Sequence, residues 1–419
     1  MLHKVCHRAI LRMTTLHKSH PLHKGIHAAY NSCTRRDFKS CKRHPSPLHR
    51  LLNEFQVNPH TVEGIDPTRH YPKWAPDVTM KVAEDRAAAV IEDAIANEDL
   101  RVYSDSLAVD GGVGGVAVLM RNDEVVRKKR FCLGSNQEHT VYEGKLVGMI
   151  LAIELLREEG GQGTMALGVD NQAAISATHK FISKSGHYLM DKFHNDLRKL
   201  IPAQDKRKLI VRWTPGHEGI PGNEAADEQA KMAAKGDSST PNTLPKSLTT
   251  RHNAIATLPV SKSALMQQFR KAIKHKAAKI MRDSPRYKHL HEIDTSAPSK
   301  HFSKLVEKLP QRHSSLLFQL HTGHAPLNKH LHRIAKVPNP TCQQCHRCKE
   351  TVHHFLLACP TYTRQCLAIQ NELGPQANHL KNLLNNPKCV KPLLRFIAST
   401  HRLEQTFGDV TPPADEEED

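Results

Sequence analysis

The stretch Met165-Ala166-Leu167-Gly168-Val169-Asp170-Asn171-Gln172-Ala173-Ala174 joins an uninterrupted apolar run to a polar residue and a helix start. A short apolar run of this kind is typical of a strand that is covered on both faces, as in sheets flanked by helices. Asp170 follows the strand at its carboxyl end, where open α/β sheets form a crevice. The stretch therefore predicts an α/β fold with a polar site at the end of this strand.

Strand and helix patterns alternate on both sides of this stretch. Together with Met165–Val169 they predict five strands, the others being Leu100–Ser104, Val116–Met120, Val125–Cys132 and Leu209–Trp213. The glycines between positions 111 and 115 predict a turn, and apolar residues at a 3.6-residue spacing predict a helix over Val141–Glu158. Three consecutive strands followed by alternating helices and strands predict a mixed five-stranded sheet flanked by helices.

Composition indicates an anionic partner. The chain has 419 residues and a formal net charge of +18, which favours nucleic acid. No apolar run approaches the roughly 18 residues of a membrane-spanning helix, and no apolar stretch follows the basic N-terminus, as a secretory signal would require. We therefore expect an intracellular protein of the nucleus or cytoplasm that is not secreted.

Changes in composition divide the chain into five regions. They are a basic, irregular N-terminal segment (1–98), the α/β domain (99–236), a linker with a basic helix (237–300), a helical region around a Cys/His cluster (301–400) and an acidic tail (401–419). The acid-poor N-terminus also resembles a mitochondrial transit peptide, with a basic arm as the alternative. The basic helix, Lys262–Arg282, either contacts phosphates or presents a solvated face.

Three carboxylates can converge at one edge of the α/β domain. Asp105 ends the first strand, Asp170 ends the strand Met165–Val169, and Asp227 opens the last helix, ten residues after His217. Clustered carboxylates repel one another unless a divalent cation neutralises them. Together with Mg²⁺ such a cluster can catalyse phosphoryl transfer, because two ions activate a water and stabilise the leaving oxygen.

Four motifs in this region together resemble a type 1 ribonuclease H domain, more narrowly that of fungal non-LTR retrotransposon polyproteins. They are Tyr103-Ser104-Asp105, Thr140-Val141-Tyr142, the residues 168–174 and the stretch from Trp213 through His217 to Asp227. The resemblance implies a ribonuclease H-like fold and hydrolysis of the RNA strand of RNA–DNA hybrids. It also implies that the partner is an RNA–DNA hybrid or RNA and that a reverse transcriptase is a further partner. By the same resemblance, Asp105, Asp170 and Asp227 bind Mg²⁺ or Mn²⁺, and His217 lies on a mobile loop. We expect a monomer.

Two residues depart from the family pattern. The family has Glu early in the first helix, and that position is Lys145 here. An ammonium there repels a divalent ion, although it can replace part of a metal's charge. Glu143 lies about 200° around the helix and faces away, and Ser106 replaces a Gly and crowds the site. We therefore expect impaired nuclease activity. The alternatives are a non-catalytic module that binds hybrid or RNA, and a decayed retrotransposon remnant.

A Cys/His cluster predicts a small zinc-binding module. Its spacing is C-x2-C-x8-H-x4-C, formed by Cys342, Cys345, His354 and Cys359. Three thiolates and one imidazole suit tetrahedral zinc with no open position, which makes the site structural. Cys348 and His353 are adjacent alternatives, but His354 precedes the apolar run Phe355–Leu357, which can pack beneath the metal. The preceding segment, Leu320–Leu327, resembles the one before the C-terminal zinc knuckle of non-LTR retrotransposons, which implies binding of single-stranded RNA or DNA.

Overall fold

The structure is a computed structural model that describes residues 2–34, 46–70, 77–121, 124–202, 204–285, 287–296 and 299–412. The chain divides into two compact units, Met1–Lys271 and Ala272–Asp419. The acidic run at positions 415–419, on which the prediction of a tail rests, lies outside the described residues.

A six-stranded sheet forms the centre of the first unit. Its strands are β1 (Val78–Lys81), β2 (Leu100–Val109), β3 (Gly112–Arg121), β4 (Glu124–Ser135), β5 (Met165–Val169) and β6 (Leu209–Trp213). Their order across the sheet is β1-β6-β5-β2-β3-β4. The strands β2, β3 and β4 are antiparallel neighbours, whereas β5, β6 and β1 run parallel to β2.

The predicted mixed sheet flanked by helices is confirmed, but the predicted number of strands is wrong. The additional strand is β1, which pairs with β6 at the edge of the sheet. Only Val78 of its four residues is buried. So short and exposed an edge strand has no alternation of apolar and polar residues, and the sequence pattern therefore does not reveal it.

Helices cover both faces of the sheet. The helices of this unit are α1 (Leu2–Thr14), α2 (His23–Thr34), α3 (Pro47–Phe55), α4 (Arg86–Ala94), α5 (Val141–Glu158), α6 (Gln172–Ala177), α7 (His187–Leu200) and α8 (Pro221–Ala234), and α9 (Lys262–Arg282) crosses into the second unit. Alternate residues of β3 point to opposite faces. Leu119 packs with α5 and α7, and Val118 packs with α8.

The hairpin between β2 and β3 is tighter than the predicted glycine turn. Asp110 and Gly111 have positive φ angles of 51° and 86° and form the turn. The next glycines belong to β3. A Cβ on Gly114 would lie 2.3 Å from the backbone nitrogen of Ala234. Glycine is therefore needed there because α8 packs directly on the strand, and the turn itself uses only the first glycine of the run.

The segment expected to be irregular, residues 1–98, contains α1 to α4 and β1 among its described residues. The helices α1 and α3 enclose a small core that includes Ile10, Leu11 and Leu52, and Met266 at the start of α9 packs against it. The N-terminal segment therefore has an apolar core of its own within the first unit.

The second unit is helical. Its further helices are α10 (Tyr287–Ile293), α11 (His301–Leu305), α12 (Gln311–Thr322), α13 (Asn328–Arg333), α14 (Thr363–Leu373), α15 (Leu380–Asn385), α16 (Pro387–Thr400) and α17 (Glu404–Phe407). Leu403 and Val410, within the segment assigned to the tail, are buried in the core of this unit. Among the described residues, no helix combines the length and the apolar character that crossing a membrane requires.

Candidate active site and metal centre

Parallel pairing of β2 with β5 places Asp105 and Asp170 side by side. Ser104 and Val169 are partners in the register of the two strands, and each carboxylate residue follows one of them directly. Asp170 follows the end of β5 as predicted, but Asp105 does not end its strand, because β2 continues to Val109 in its pairing with β3. The side chains of Asp105 and Asp170 are 7% and 21% exposed. Two neighbouring carboxylates with so little access to water need a cation between them.

Lys145 on α5 supplies that cation. Its Nζ donates hydrogen bonds to Asp105 Oδ1 and, at 2.7 Å, to Asp170 Oδ2. Burial alone would lower the pKa of Lys145, but the charges of Asp105 and Asp170 outweigh burial and raise the pKa above its ordinary value. Burial has the largest effect on Asp105 and raises the pKa of its carboxyl, which Lys145 opposes. The lysine therefore remains an ammonium at neutral pH.

Helix α5 can bring its lysine to the strands because glycine faces the sheet. A Cβ on Gly148 would lie 2.7 Å from the carbonyl oxygen of Val116, and a Cβ on Gly144 would lie 2.7 Å from the Cβ of Ser106. The Ser106 hydroxyl donates to the carbonyl of Val141 at 2.8 Å. The serine that was expected to crowd the site therefore packs against glycine and tethers the first turn of α5.

Asp227 also has a lysine partner. Lys231 lies one turn later on α8, and its Nζ is 2.7 Å from Asp227 Oδ2. Its pKa is raised mainly by the hydrogen bond and charge of Asp227, with a smaller contribution from Asp105. A Cβ on Gly222 in the first turn of α8 would lie 2.2 Å from the ring of Tyr103, so α8 packs on β2 close to Asp105. An acidic residue four positions before a lysine on a helix is a readable sequence signal, but this pair was not among the predicted site residues.

The loop that carries His217 lies next to Asp170. A Cβ on Gly216 would be 4.0 Å from Asp170 Oδ2 and 4.0 Å from Asn223 Nδ2. His217 is exposed and has a positive φ of 61°, and the indole of Trp213 donates to the carbonyl of Asp170 at 3.2 Å. The structure thus brings the histidine loop beside Asp170, one of the three predicted carboxylates.

These donors do not fit a pair of divalent ions in their present arrangement. Asp105 and Asp170 each give an oxygen to Lys145, and Asp227 gives one to Lys231. Within the described part of the chain, Asp170 Oδ1 is buried without a hydrogen-bond partner. The ammonium of Lys145 lies between Asp105 and Asp170, where an ion shared by the two carboxylates would bind, and Mg²⁺ requires near-octahedral oxygen ligation. A metal ion would have to displace the ammonium.

Glu143 has a different role from Asp105 and Asp170. Its Oε2 accepts from the amide and the hydroxyl of Thr140, at 2.8 and 3.0 Å, and closes a capping box at the start of α5. Burial is the main cause that raises the pKa of Glu143 to about 7, and the nearby Glu63 adds to it. Glu143 is therefore a helix cap, and the site formed by Asp105 and Asp170 has a lysine where the pattern of the family that the sequence resembles has a carboxylate.

The second unit contains the predicted Cys/His cluster. Its four ligand atoms all lie within 4.8 Å of one another, on Cys342, Cys345, His354 and Cys359. The distance from Cys345 Sγ to His354 Nε2 is 3.4 Å, and Cys342 Sγ is 4.0 Å from Cys359 Sγ. Zinc bonds of about 2.3 Å to sulfur and 2.0–2.1 Å to nitrogen give tetrahedral edges of about 3.8 Å and 3.6 Å. The donors therefore fit one tetrahedral zinc ion.

The alternative ligands lie outside this cluster, and a buried ion pair supports it. Cys348 and His353 are exposed, and neither belongs to the group. Glu350 is fully buried and accepts two hydrogen bonds from Arg402, at 2.8 and 2.6 Å. Glu350 also accepts from the amide of Asn328 at 2.6 Å. This pair fixes the loop that carries the first two cysteines, and the sequence pattern alone gave no sign of it.

Comparison with known proteins identifies one part of the chain. The family model described as RNase H matches residues 90–235, whereas the predicted domain is 99–236. No curated protein matches the chain.

Three solved structures are similar to about a third of the chain. The N-terminal RNase H domain of a Mycobacterium tuberculosis protein, solved as a fusion with maltose-binding protein, is 18% identical, with 32% of this chain and 98% of that chain covered and a TM-score of 0.25. LC11-RNase H1 in complex with RNA/DNA hybrid is 16% identical, with 33% and 97% covered and a TM-score of 0.26. RNase H1 from the halophilic archaeon Halobacterium salinarum is 17% identical, with 32% and 97% covered and a TM-score of 0.25. Residues 90–235, which hold Asp105, Lys145, Asp170 and Asp227, are an RNase H domain.

Proposed function

We propose that this protein binds RNA–DNA hybrids through its RNase H domain and that its ability to hydrolyse the RNA strand is impaired. One observation carries the proposal. The ammonium of Lys145 bridges Asp105 and Asp170, the carboxylates that the RNase H resemblance assigns to Mg²⁺. A divalent ion must compete with this ammonium for oxygen atoms that are already hydrogen-bonded.

Lys145 also favours a second candidate function, hybrid binding without cleavage. With Lys145 and Lys231 present, the three carboxylates meet two ammonium groups. The repulsion between the site and the phosphates of a nucleic acid is thereby reduced without a metal ion. In this function, recognition of the RNA strand through its 2′-hydroxyls remains while the chemical step is absent.

A cleavage assay separates these two functions. The substrate is an RNA–DNA hybrid labelled on the RNA strand, incubated with Mg²⁺ or with Mn²⁺. The variants are the unchanged protein, Lys145→Glu and Asp170→Asn. We expect weak or no cleavage by the unchanged protein and a large gain with Lys145→Glu, because the change restores the carboxylate of the family pattern. Residual cleavage that Asp170→Asn removes supports an impaired enzyme, whereas hybrid binding without cleavage supports the binding module.

Strong cleavage by the unchanged protein would contradict the proposal. It would show that a metal ion displaces Lys145 easily or that another group completes the site. If neither the unchanged protein nor Lys145→Glu prefers hybrid over duplex DNA, the domain is a remnant without hybrid recognition.

We further propose that the Cys342, Cys345, His354 and Cys359 cluster binds structural zinc and forms a knuckle that helps to hold single-stranded RNA or DNA. The support is the fit of the four donors to one tetrahedral ion. Thiolate ligands must stay reduced, which favours an intracellular location. The motifs quoted above also support an origin in a fungal non-LTR retrotransposon polyprotein, with a reverse transcriptase as partner.

A further inference from the structure

Helix α9 presents a basic surface that the RNase H site does not use. Only Ala264 of its residues is buried. From position 270 onward its cationic side chains are all exposed, namely Arg270, Lys271, Lys274, Lys276, Lys279 and Arg282. No Asp or Glu occurs between Lys262 and Arg282. The helix therefore carries no acidic partner of its own for these charges.

The cations are concentrated on one side of the helix. At about 100° per residue, half of the circumference holds Arg270, Lys271, Lys274, Lys279 and Arg282. We call this half the cationic face. Lys276 lies about 60° outside it. Five of the six cationic side chains from position 270 onward therefore lie on one half of the helix.

An apolar stripe runs along the other side of the helix, formed by Met266, Phe269, Ile273, Ala277 and Ile280. Near its start the stripe is covered. Met266 packs against the core of the N-terminal helices, and Phe269 stacks on His7 with ring centroids 3.6 Å apart. The first part of the apolar side therefore anchors the helix, whereas Ala277 and Ile280 are exposed. The opposite, cationic side is left to solvent.

We propose that the cationic face binds the phosphate backbone of nucleic acid without regard to base sequence. The face extends over about 18 Å of helix axis, at a rise of 1.5 Å per residue. Along the axis of a duplex, one strand carries a phosphate about every 3.4 Å, so a length of 18 Å of duplex axis holds about five phosphates of that strand. Arg and Lys in a row on a helix supply the charge-assisted contacts that dominate sequence-independent affinity.

The chemistry of the helix favours nucleic acid over an anionic membrane. Helices that lie on membranes bury a wide apolar face rich in Trp, Phe and Leu. Beyond position 270 the apolar stripe offers only Ile273, Ala277 and Ile280. Binding to a membrane would therefore lack an aromatic anchor, whereas phosphate binding needs only the charges.

Salt-dependent binding by the full chain tests this proposal. The probes are a fluorescent duplex DNA and a fluorescent RNA–DNA hybrid of equal length, titrated at several salt concentrations. We expect the triple variant Lys271→Gln/Lys274→Gln/Lys279→Gln to reduce the slope of log K against log salt by up to about 2.7, at about 0.9 for each lost phosphate contact. Gln and Lys have nearly the same helix propensity, so circular dichroism should show unchanged helicity.

Two positions on the same helix give a matched control. Lys274→Gln should reduce the slope by about 0.9, and Lys276→Gln, with the same change of charge outside the face, should reduce it by clearly less. Equal reductions by the two single variants would overturn the proposal, because net charge alone would then explain the binding. An unchanged slope in the triple variant would also overturn it.

Two further readouts separate this inference from its competitors. The ratio of hybrid to duplex DNA affinity reports the RNase H domain, and the triple variant should leave that ratio unchanged. If the ratio is one in the unchanged protein and in the triple variant, the proposed binding of hybrids by the RNase H domain is contradicted. That result would not contradict phosphate binding by the cationic face. Vesicles of phosphatidylserine and phosphatidylcholine test the membrane. Loss of vesicle binding in the triple variant, with nucleic-acid binding unchanged, would overturn the proposal.

Discussion

Lys145 Nζ lies 2.7 Å from Asp170 Oδ2 and also donates to Asp105, so that one ammonium joins two neighbouring strands, the middle of β2 and the end of β5. Its side chain is 8% exposed. An ion pair this well buried is strongly coupled to folding, because removing one partner leaves the other charge without compensation. The lysine is therefore both the reason to expect weak hydrolysis and a structural element of the domain.

Replacing Lys145 by Met should lower the free energy of unfolding by about 3–5 kcal/mol, since it leaves two buried carboxylates unpaired. Urea denaturation followed by circular dichroism measures the loss. Lys235→Met is the control, because Lys235 is exposed and such a change should stay within about 0.5 kcal/mol. A loss below about 1 kcal/mol for Lys145→Met would show that the bridge contributes little.

Lys145→Glu should make the thermal stability of the first unit depend on divalent ions. Without metal, three neighbouring carboxylates repel one another and the melting temperature falls below that of the unchanged protein. Added Mg²⁺ or Mn²⁺ should raise the melting temperature again. An ion at a concentration a hundredfold above its Kd adds about 2.7 kcal/mol to the free energy of unfolding. Differential scanning calorimetry with and without EDTA checks this. The double variant Lys145→Glu/Asp170→Asn should respond less, and an equal response would place the ion elsewhere.

Gly148→Ala should destabilise the protein by disturbing the packing of α5 against the sheet. The new Cβ would meet the carbonyl oxygen of Val116 at 2.7 Å, and overpacking of this kind typically costs about 1–3 kcal/mol. Gly25→Ala is the matched control, because a Cβ there meets nothing within 4 Å and alanine favours the helix by about 1 kcal/mol. Urea denaturation should therefore give opposite signs for the two variants, and a stable Gly148→Ala protein would contradict the close packing.

Glu143 should make stability depend on pH. Its pKa is raised from 4.5 to about 7 in the folded protein, so the folded state holds a proton that the unfolded state releases near pH 4.5. The contribution of Glu143 to stability therefore falls as the pH rises from about 4.5 to 7. Glu143→Gln removes this dependence and can still accept from Thr140. We therefore compare the free energy of unfolding of the variant with that of the unchanged protein by urea denaturation. The difference should favour the variant by about 2 kcal/mol more at pH 8 than at pH 5. An equal difference at both pH values would contradict the shift.

Zinc content should follow the four clustered ligands. Cys345→Ser should reduce the zinc bound per chain severalfold and lower the melting temperature of the second unit, because structural zinc contributes directly to folding. Cys348→Ser is the control, since Cys348 is exposed and outside the cluster. Mass spectrometry under native conditions measures the bound metal. Zinc loss with Cys348→Ser and retention with Cys345→Ser would mean a different ligand set.

Local patterns were sufficient for much of the fold. The strand over Met165–Val169 and the helix over Val141–Glu158 occur at the predicted positions, because continuous apolar runs and 3.6-residue spacing are strong signals. The cluster of Cys342, Cys345, His354 and Cys359 could be found by spacing alone, since its ligands are close along the chain.

Contacts between distant segments could not be predicted in this way. Strand β1 becomes visible only through its pairing with β6. Sequence analysis placed Lys145 beside the carboxylates and expected it to repel a metal ion, but it could not show that the ammonium would bridge both. That arrangement depends on how closely Gly144 and Gly148 allow α5 to approach the strands.

The position of β1 has a consequence for how the RNase H domain can be isolated. The matched residues begin at 90, whereas β1 ends at Lys81 and covers the outer side of β6. A fragment that starts at the matched boundary would lack the partner strand of Leu209–Arg212 and leave the backbone groups on that side of β6 unpaired. Such an open edge invites strands of other molecules to add and leads to aggregation. A fragment that begins before Val78 should therefore remain monodisperse in light scattering where the shorter one does not.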